Sequence, residues 1–376
     1  VKIVSVSLKP THFIHDLLDW YDFFKRPLPW RLDPGILLED RLYRTWISEI
    51  MSQQSTLKTV LPRYLKWMQE FPTFKSLKNA SIKELESLWS GLGYYSRVRN
   101  IFKIAQSISE LSDLQNSSQW FSQPGIGSYT AHAIGAIVYD EAVVPVDGNV
   151  MRFMARLLKI EDPLNSSTDR SKIEQHLAYL VLGVPVGRRG DFAQALIEYG
   201  SQMCRPRNQP QCLKCPFIDD CQSFAQKKVD QIPRPRNRLN VEQRDIFFLF
   251  FRKPDSPKFV LVREIPEGFP LAGQWEIPWF GAGGWLGLRG PKTDRLDDDF
   301  KYLNLNDFTR RGMARVGPIK HQIMHFALSG YVLEAGDWSD PLPKGYRFID
   351  VNVEGVKSFT ISTHTRKVLQ KTRSMV

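Results

Sequence analysis

The spacing of apolar residues changes once along this chain, near residue 244, from a helical period to the alternation of strands. A chain built this way reads as an all-helical body followed by an α+β module. In the first part Phe13, Leu17, Trp20, Tyr21 and Phe24 recur at helical spacing behind Thr11, an expected cap, and Pro27-Leu28-Pro29 stops them. Ser81 and Glu84 have the spacing of a capping box ahead of Leu85 and Leu88, and Gly91 and Gly93 end that helix. Similar periods run through residues 43–54, 60–68, 97–111, 128–138 and 150–158. Beyond 244, residues 245–251 and 258–263 flank Pro254 and Pro257 and are expected to pair as a hairpin; residues 331–334 read as another strand and 281–290 as an irregular glycine-rich loop. No internal repeat interrupts this order.

Composition narrows the class. With 42% hydrophobic and 24% charged residues over 376 positions, the chain is globular and long enough for two or three domains. A net charge of +11 favours a polyanionic partner, nucleic acid first. No apolar run has the length of a bilayer span, so no membrane partner is expected. The first six residues, Val1 to Val6, carry no signal-peptide core, and a leading valine fits a GTG start read literally; the expectation is a bacterial, cytoplasmic monomer. Between the two parts, Lys227, Lys228, Arg234, Arg236 and Arg238 are broken by Pro233 and Pro235, a basic linker able to follow a phosphate backbone.

All four cysteines, Cys204, Cys212, Cys215 and Cys221, fall in one window. Two disulfides are one reading, disfavoured by the size of the chain and the lack of a secretory signal. A structural zinc site and a four-iron, four-sulfur cluster are the others, since each takes four thiolates.

The segment Pro124-Gly125-Ile126-Gly127-Ser128-Tyr129-Thr130-Ala131 opens a helix. Two glycines let backbone amides turn outward at a helix N-terminus, where partial positive charge favours phosphate; a plain helix–turn–helix corner is the alternative. With Val146-Asp147-Gly148 some twenty residues on, the pattern resembles the helix-hairpin-helix base-excision DNA glycosylases. Within them it is most similar to the MutY family of adenine DNA glycosylases. Leu28-Pro29-Trp30-Arg31, residues 46–51, Gln53-Gln54, residues 91–100, residues 146–152 and the four cysteines occur in that family's order. The resemblance covers roughly residues 12–225 and extends weakly to about 330.

The resemblance implies a mainly α fold with three parts: a helical glycosylase domain over 1–228, with its hairpin near 117–138 and an iron–sulfur loop at 204–221; a basic linker over 229–243; and an α+β, Nudix-like lesion-recognition domain over 244–376. It implies a [4Fe–4S] cluster on the four cysteines, with residues 205–211 touching DNA phosphate, although the first cysteine spacing is one residue longer than usual for the family. The partner it implies is double-stranded DNA bearing adenine opposite 8-oxoguanine or guanine. The reaction it implies is removal of that adenine without strand cleavage.

The residue types suit that chemistry. Breaking a purine–deoxyribose bond leaves an oxocarbenium-like sugar and a poor leaving group, so one carboxylic acid and one carboxylate serve it, as in glycoside hydrolysis. Glu49, between apolar Trp46 and Ile50, is expected to stay protonated by burial and to donate to the purine N7. Asp147 is expected to stay ionised beside the sugar cation; a solvated helix glutamate and a helix N-cap aspartate are the bland alternatives. Tyr129 stands where the related endonuclease III enzymes carry a lysine nucleophile, and a phenol forms no Schiff base. Met151 replaces a lysine found in some MutY proteins, and Asn149 is expected to orient water or Asp147.

The adenine must leave the base stack to react. Gln54 and Tyr94 match residues at the vacated space and beside the opposing base, Gln53 is expected to contact the DNA, and Trp30, Arg31 and Glu198 match the adenine pocket. Gly125, Gly127 and Ser128 are the expected phosphate grip. In the C-terminal part, residues 270–278 resemble a Nudix strand, but the glutamate-rich Nudix helix is absent from 279–300. Met324 and His325 fall in the expected lesion-sensing hairpin; Met324 stands where the family has a serine, and a thioether cannot donate that hydroxyl's hydrogen bond. Ile323, Ser52 and Gln123 are further departures from the family pattern. Two rival functions remain: a thymine or pyrimidine glycosylase on the same scaffold, disfavoured because pyrimidines lack an N7, and a catalytically silent mismatch-binding protein.

Overall fold

The computed structural model describes residues 9–31, 35–161, 167–206, 210–234, 242–265, 273–281, 315–323, 326–337, 341–342, 344–351 and 361–372. The chain divides into two compact units, Val1–Asn237 and Arg238–Val376.

The first unit is helical. Its elements are α1 (Pro10–Phe24), α2 (Leu38–Ser52), α3 (Leu57–Glu70), α4 (Phe74–Asn79), α5 (Ile82–Leu88), α6 (Ser96–Ser107), α7 (Ser117–Phe121), α8 (Ser128–Tyr139), α9 (Gly148–Leu157), α10 (Ser167–Leu182), α11 (Arg189–Gln202) and α12 (Gln222–Ala225). The cap of α1 is Lys9, not Thr11: Pro10 occupies the first turn, where its missing N–H costs nothing. The Ser81–Glu84 capping box starts α5 as its spacing predicts.

Two apolar cores organise these helices. One gathers Phe13, Leu17, Met154, Leu177, Phe192 and Tyr199 from α1, α9, α10 and α11. The other gathers Trp46, Trp67, Trp89 and Trp120, all fully buried, with Ile134 of α8. Burial of each such side chain contributes roughly 1.5–3 kcal/mol or more. Helix α8 packs against both α2 and α11, and α11 also packs against α9, so α8 joins the two cores.

Helix α11 carries Gly190 near its start and Gly200 near its end. Both glycines are there for close approach. A Cβ on Gly190 would stand 2.9 Å from the Ala136 carbonyl oxygen of α8, and one on Gly200 would stand 2.6 Å from the Asn149 carbonyl oxygen of α9. The absent side chains therefore let α11 pack closely on α8 and α9, the helices that carry Tyr129 and follow Asp147.

Among the described residues, the second unit shows a seven-stranded mixed sheet and one helix. Its elements are β1 (Glu242–Lys253), β2 (Ser256–Glu264), β3 (Trp275–Glu276), β4 (Trp279–Gly281), β5 (Arg315–Ile323), β6 (Phe326–Asp337), β7 (Tyr346–Asp350) and α13 (Thr363–Lys371). The path is β3-β2-β1-β6-β5, with β4 pairing β1 and β7 pairing β2. The expected hairpin is β1–β2, antiparallel, whereas β1 and β6 run parallel. Ile246, Phe248 and Phe250 alternate into a core shared with Val368 and Leu369. Inside it, the Glu276 carboxylate accepts from Arg263 Nε at 3.0 Å and Trp279 Nε1 at 2.8 Å, and lies 2.9 Å from His364 Nε2. Pairing of this kind is what allows a charge to be buried. Among the described residues no helix is long and apolar enough to cross a membrane.

Candidate active site

Three elements of the helical unit converge on one group of titratable side chains. Helix α2 carries Glu49 between the fully buried Trp46 and the buried Ile50, so its carboxyl projects from an apolar helix face. Helix α8 carries Tyr129 in its first turn. Asp147 is the N-cap of α9. The Glu49 carboxyl is raised to about 7, first by burial and then by the nearby Asp147 charge, against the lowering effects of the Tyr129 hydroxyl and Arg31. Burial, Glu49 and Asp147 together push the Tyr129 phenol well above its ordinary value, so it is a hydrogen-bond donor at neutral pH.

Asp147 is held on three sides. Its Oδ1 accepts from the Asn149 and Val150 amides at 2.8 Å each, and its Oδ2 accepts from Asn149 Nδ2 at 2.7 Å. Three converging N–H donors fix its orientation. The bland reading of Asp147 as a helix cap is therefore true as well, and the same carboxylate caps α9 while facing Glu49. Asn149 is in turn fixed through its Oδ1, which accepts from Arg152 Nη2 at 3.0 Å. Met151 is buried in the α1–α9–α11 core.

The proton on Glu49 links this geometry to stability. Unfolded, the carboxyl titrates near 4.5; folded, near 7. The protonated form is the one the fold favours, so its contribution is full below about 4.5 and is lost as pH rises through about 7, a change of up to about 3 kcal/mol. Chemical denaturation from pH 5 to 8 is expected to show wild type losing more stability than Glu49→Gln across that window. Parallel curves for the two proteins would reject the shifted carboxyl.

Glu198, on α11, is 1% exposed and lies at the centre of an ionic cluster. Arg26 donates to it three times: Nε to Oε1 at 2.5 Å, Nη2 to Oε2 at 2.8 Å and its backbone N–H to Oε1 at 3.2 Å. Arg31 Nη2 donates to Oε2 at 2.7 Å and Gln202 Nε2 to Oε1 at 2.5 Å. The remaining donors of Arg31 go to the Arg26 carbonyl at 2.8 Å and Gln194 Oε1 at 3.2 Å. Arg26 and Gln202 carry no motif and were not singled out by sequence. The two guanidinium groups overcome burial and hold Glu198 down to about 2. This depressed carboxyl contributes stability that is present above about 4.5 and lost as pH falls toward 2. Acid unfolding monitored by circular dichroism is accordingly expected to begin at higher pH in Glu198→Gln than in wild type; identical acid midpoints would count against the clamp.

The other expected site residues are distributed as follows. Trp30 is partly buried, its ring 4.8 Å from that of Tyr64 in an edge arrangement. Gln53 Nε2 donates to Thr130 Oγ1 at 3.2 Å. Gln54 and Tyr94 both take left-handed backbone conformations, φ 50° and 47°, and Tyr94 is 58% exposed. Such conformations are rare for non-glycine residues and cost on the order of 1–3 kcal/mol each. Gly125, Gly127 and Ser128 are exposed, and no side chain caps the N-terminus of α8, which leaves its first amides facing outward. Gly125 has φ 76°, and the Asn100 amide occupies the place a Cβ would take. Met324 and His325 lie outside the described residues, as do residues 207–209 of the expected phosphate-touching loop.

The [4Fe–4S] expectation is corrected. Among the described residues no group of three or more His, Cys, Asp or Glu side chains could hold a metal ion. Cys204, Cys212, Cys215 and Cys221 are free, and they border an apolar cavity of about 30 Å³ without coming close enough together to share a cluster. Three of the thiols have partners of their own instead. Tyr199 donates its hydroxyl to Cys215 Sγ at 2.9 Å, Arg156 Nη1 donates to Cys204 Sγ at 3.4 Å, and Cys221 Sγ donates to the Arg156 carbonyl at 3.6 Å. Burial pushes Cys215 up to about 11 and raises Cys212 and Cys221. The zinc alternative falls on the same finding.

A helical body with an outward-facing hairpin and a buried carboxyl beside a capped aspartate defines a class, and comparison agrees: residues 47–180 match the family described as HhH-GPD superfamily base excision DNA repair protein. The adenine DNA glycosylase of Buchnera aphidicola (Baizongia pistaciae) is 34% identical over 321 residues, covering 84% of each chain. The chain belongs to the adenine DNA glycosylase family. The mouse adenine DNA glycosylase is 35% identical over 263 residues, 64% of this chain and 49% of that one, so the chain spans about half the length of this relative. Among solved structures, a thermostable thymine-DNA glycosylase aligns over 58% of this chain and 97% of its own, with 22% identity and a TM-score of 0.49.

Proposed function

We propose that this protein hydrolyses the N-glycosidic bond of adenine mispaired with 8-oxoguanine or guanine in double-stranded DNA, leaving an abasic site. The observation that carries the reading is a carboxyl titrating near neutrality within electrostatic reach of both a phenol and a second carboxyl. Glu49 hands its proton to N7 of the extruded adenine, and the C1′–N9 bond breaks with its electron pair on the base. The Asp147 anion stabilises the oxocarbenium ion. Glu49, now a carboxylate, takes a proton from the water that attacks C1′ and so returns to its starting state. Tyr129 donates a hydrogen bond and, lacking an amine, forms no Schiff base; the enzyme is monofunctional.

In this reading the amides of Gly125, Gly127 and Ser128 grip a phosphate, Gln53 contacts the DNA, and Gln54 and Tyr94 enter the duplex as the adenine leaves. Trp30, Arg31 and Glu198 line the base pocket, and Asn149 orients Asp147. Residues 1–228 form the glycosylase domain, 229–243 the basic linker, and 244–376 a Nudix-like domain that recognises the opposing base. Single-turnover release from duplexes carrying A opposite 8-oxoguanine, A opposite G and T opposite G tests it. Adenine from the first two alone is the expected result. Thymine release, or no base release at all, would reject the reading.

A further inference from the structure

Arg97, in the first turn of α6, is 9% exposed, and among the described residues no carboxylate pairs with it. An uncompensated buried guanidinium is costly, so its neighbours must repay its lost hydration. They are backbone carbonyls from two separate segments. Nη1 donates to the Ile50 carbonyl at 3.1 Å and the Gln53 carbonyl at 2.5 Å, and Nη2 reaches the Leu92 carbonyl at 3.4 Å. The first two belong to the C-terminal end of α2, where carbonyls lack helical partners and the helix dipole is negative. The guanidinium carbon also sits 4.9 Å from the centre of the Tyr94 ring.

One side chain thus fastens the residue before Gln54 to the loop that carries Tyr94. Both Gln54 and Tyr94 are exposed non-glycine residues with left-handed backbones. Two strained residues beside each other persist only where the surroundings over-determine them. Arg97 supplies that determination, because its planar fork reaches carbonyls of both turns at once; a lysine has one nitrogen and cannot span them. Arg63 braces the same loop from the other side, donating to the Ser90 carbonyl at 3.0 Å, with its guanidinium packed on Gly91.

We infer that Arg97 is a positioning residue that presets Gln54 and Tyr94 as a rigid wedge, so that insertion into the base stack requires no ordering of either loop. The inference rests on the reading above that these two residues enter the duplex as adenine leaves it. It predicts a defect in extrusion and none in bond cleavage. Because Arg97 touches neither Glu49 nor Asp147, the chemical step should keep its pH dependence when Arg97 is changed.

The test compares wild type, Arg97→Lys and Arg97→Gln in single-turnover adenine release at saturating enzyme. One substrate is a fully stacked duplex with A opposite G; the other holds the same adenine in a short unpaired bubble, already out of the stack. Loss of wedge geometry in Arg97→Gln should slow release from the stacked duplex on the order of 10²-fold. From the bubble the loss should be no more than a few-fold, with Arg97→Lys between the two proteins on the duplex and the pH midpoint unchanged. An equal loss on both substrates, or none on the duplex, overturns the inference. If Arg97→Gln does not fold by circular dichroism, Arg97→Lys carries the same comparison with the same outcomes. A wild-type protein that releases adenine from neither substrate sinks the adenine reading itself, which separates that failure from one confined to Arg97.

Discussion

Glu49→Gln is expected to slow single-turnover adenine release by about 10²–10⁴-fold, the range lost with a general acid, while duplex affinity stays within a few-fold of wild type. The amide keeps the size and much of the hydrogen-bonding capacity of the carboxyl, so it preserves the packing around Trp46 and Ile50 and the neighbour Tyr129. What it cannot do is surrender a proton to a purine nitrogen and reclaim one from water. The pH profile offers a second readout. With the carboxyl at about 7, the active protonated form is full below that value and falls tenfold per pH unit above it. Release by wild type should therefore decline on the alkaline side of neutrality, and the residual rate of Glu49→Gln should not. A glutamine variant with a wild-type rate would remove Glu49 from the chemistry.

Asp147→Asn is expected to slow release by about 10²–10³-fold, comparable to removing one preorganised electrostatic stabiliser, with little loss of stability. The separation is possible because the side chain has two tasks. As an N-cap it accepts from the Asn149 and Val150 amides at 2.8 Å, and an asparagine carbonyl accepts equally well. As an anion facing Glu49 it has no neutral substitute. Asp147→Ala removes both tasks and should cost about 1 kcal/mol of stability in addition to the rate. The asparagine variant carries a further consequence: with the anion gone, one cause of the raised Glu49 carboxyl disappears, and the alkaline limb of the rate profile should move to lower pH. If thermal melts fall as far for Asp147→Asn as for Asp147→Ala, the two tasks are not separable and the argument fails.

Much of the site can be read in short stretches of chain. The Ser81–Glu84 capping box, the two-glycine turn before α8 and the aspartate opening α9 each report a local backbone conformation, and each stands in the structure where its pattern places it. The helical body and the strand-rich module likewise follow from hydrophobic period alone. Local patterns were insufficient elsewhere. Arg26 meets Glu198 across 172 positions, and Arg97 meets the Gln53 carbonyl across 44; neither contact has a period or motif to announce it. The four cysteines show the reverse error. Their crowding in sequence suggested a shared metal, yet three of the thiols are partnered by Tyr199 and Arg156, supplied by other helices.

Residue order alone settled which elements form, because helix period, caps and turn glycines act within a few residues. It also offered side chains of suitable type: a glutamate on an apolar helix face, an aspartate at a helix start and a tyrosine in the first turn of α8. The charge states of those groups were left to packing. Glu49 lies near neutrality only because packing buries its carboxyl and brings the Asp147 charge near it, against the opposing pull of Tyr129 and Arg31, and Glu198 stays ionised only because Arg26 and Arg31 converge on it. Desolvation and Coulomb interaction depend on distance through space, which is fixed when the helices pack and not by their order along the chain.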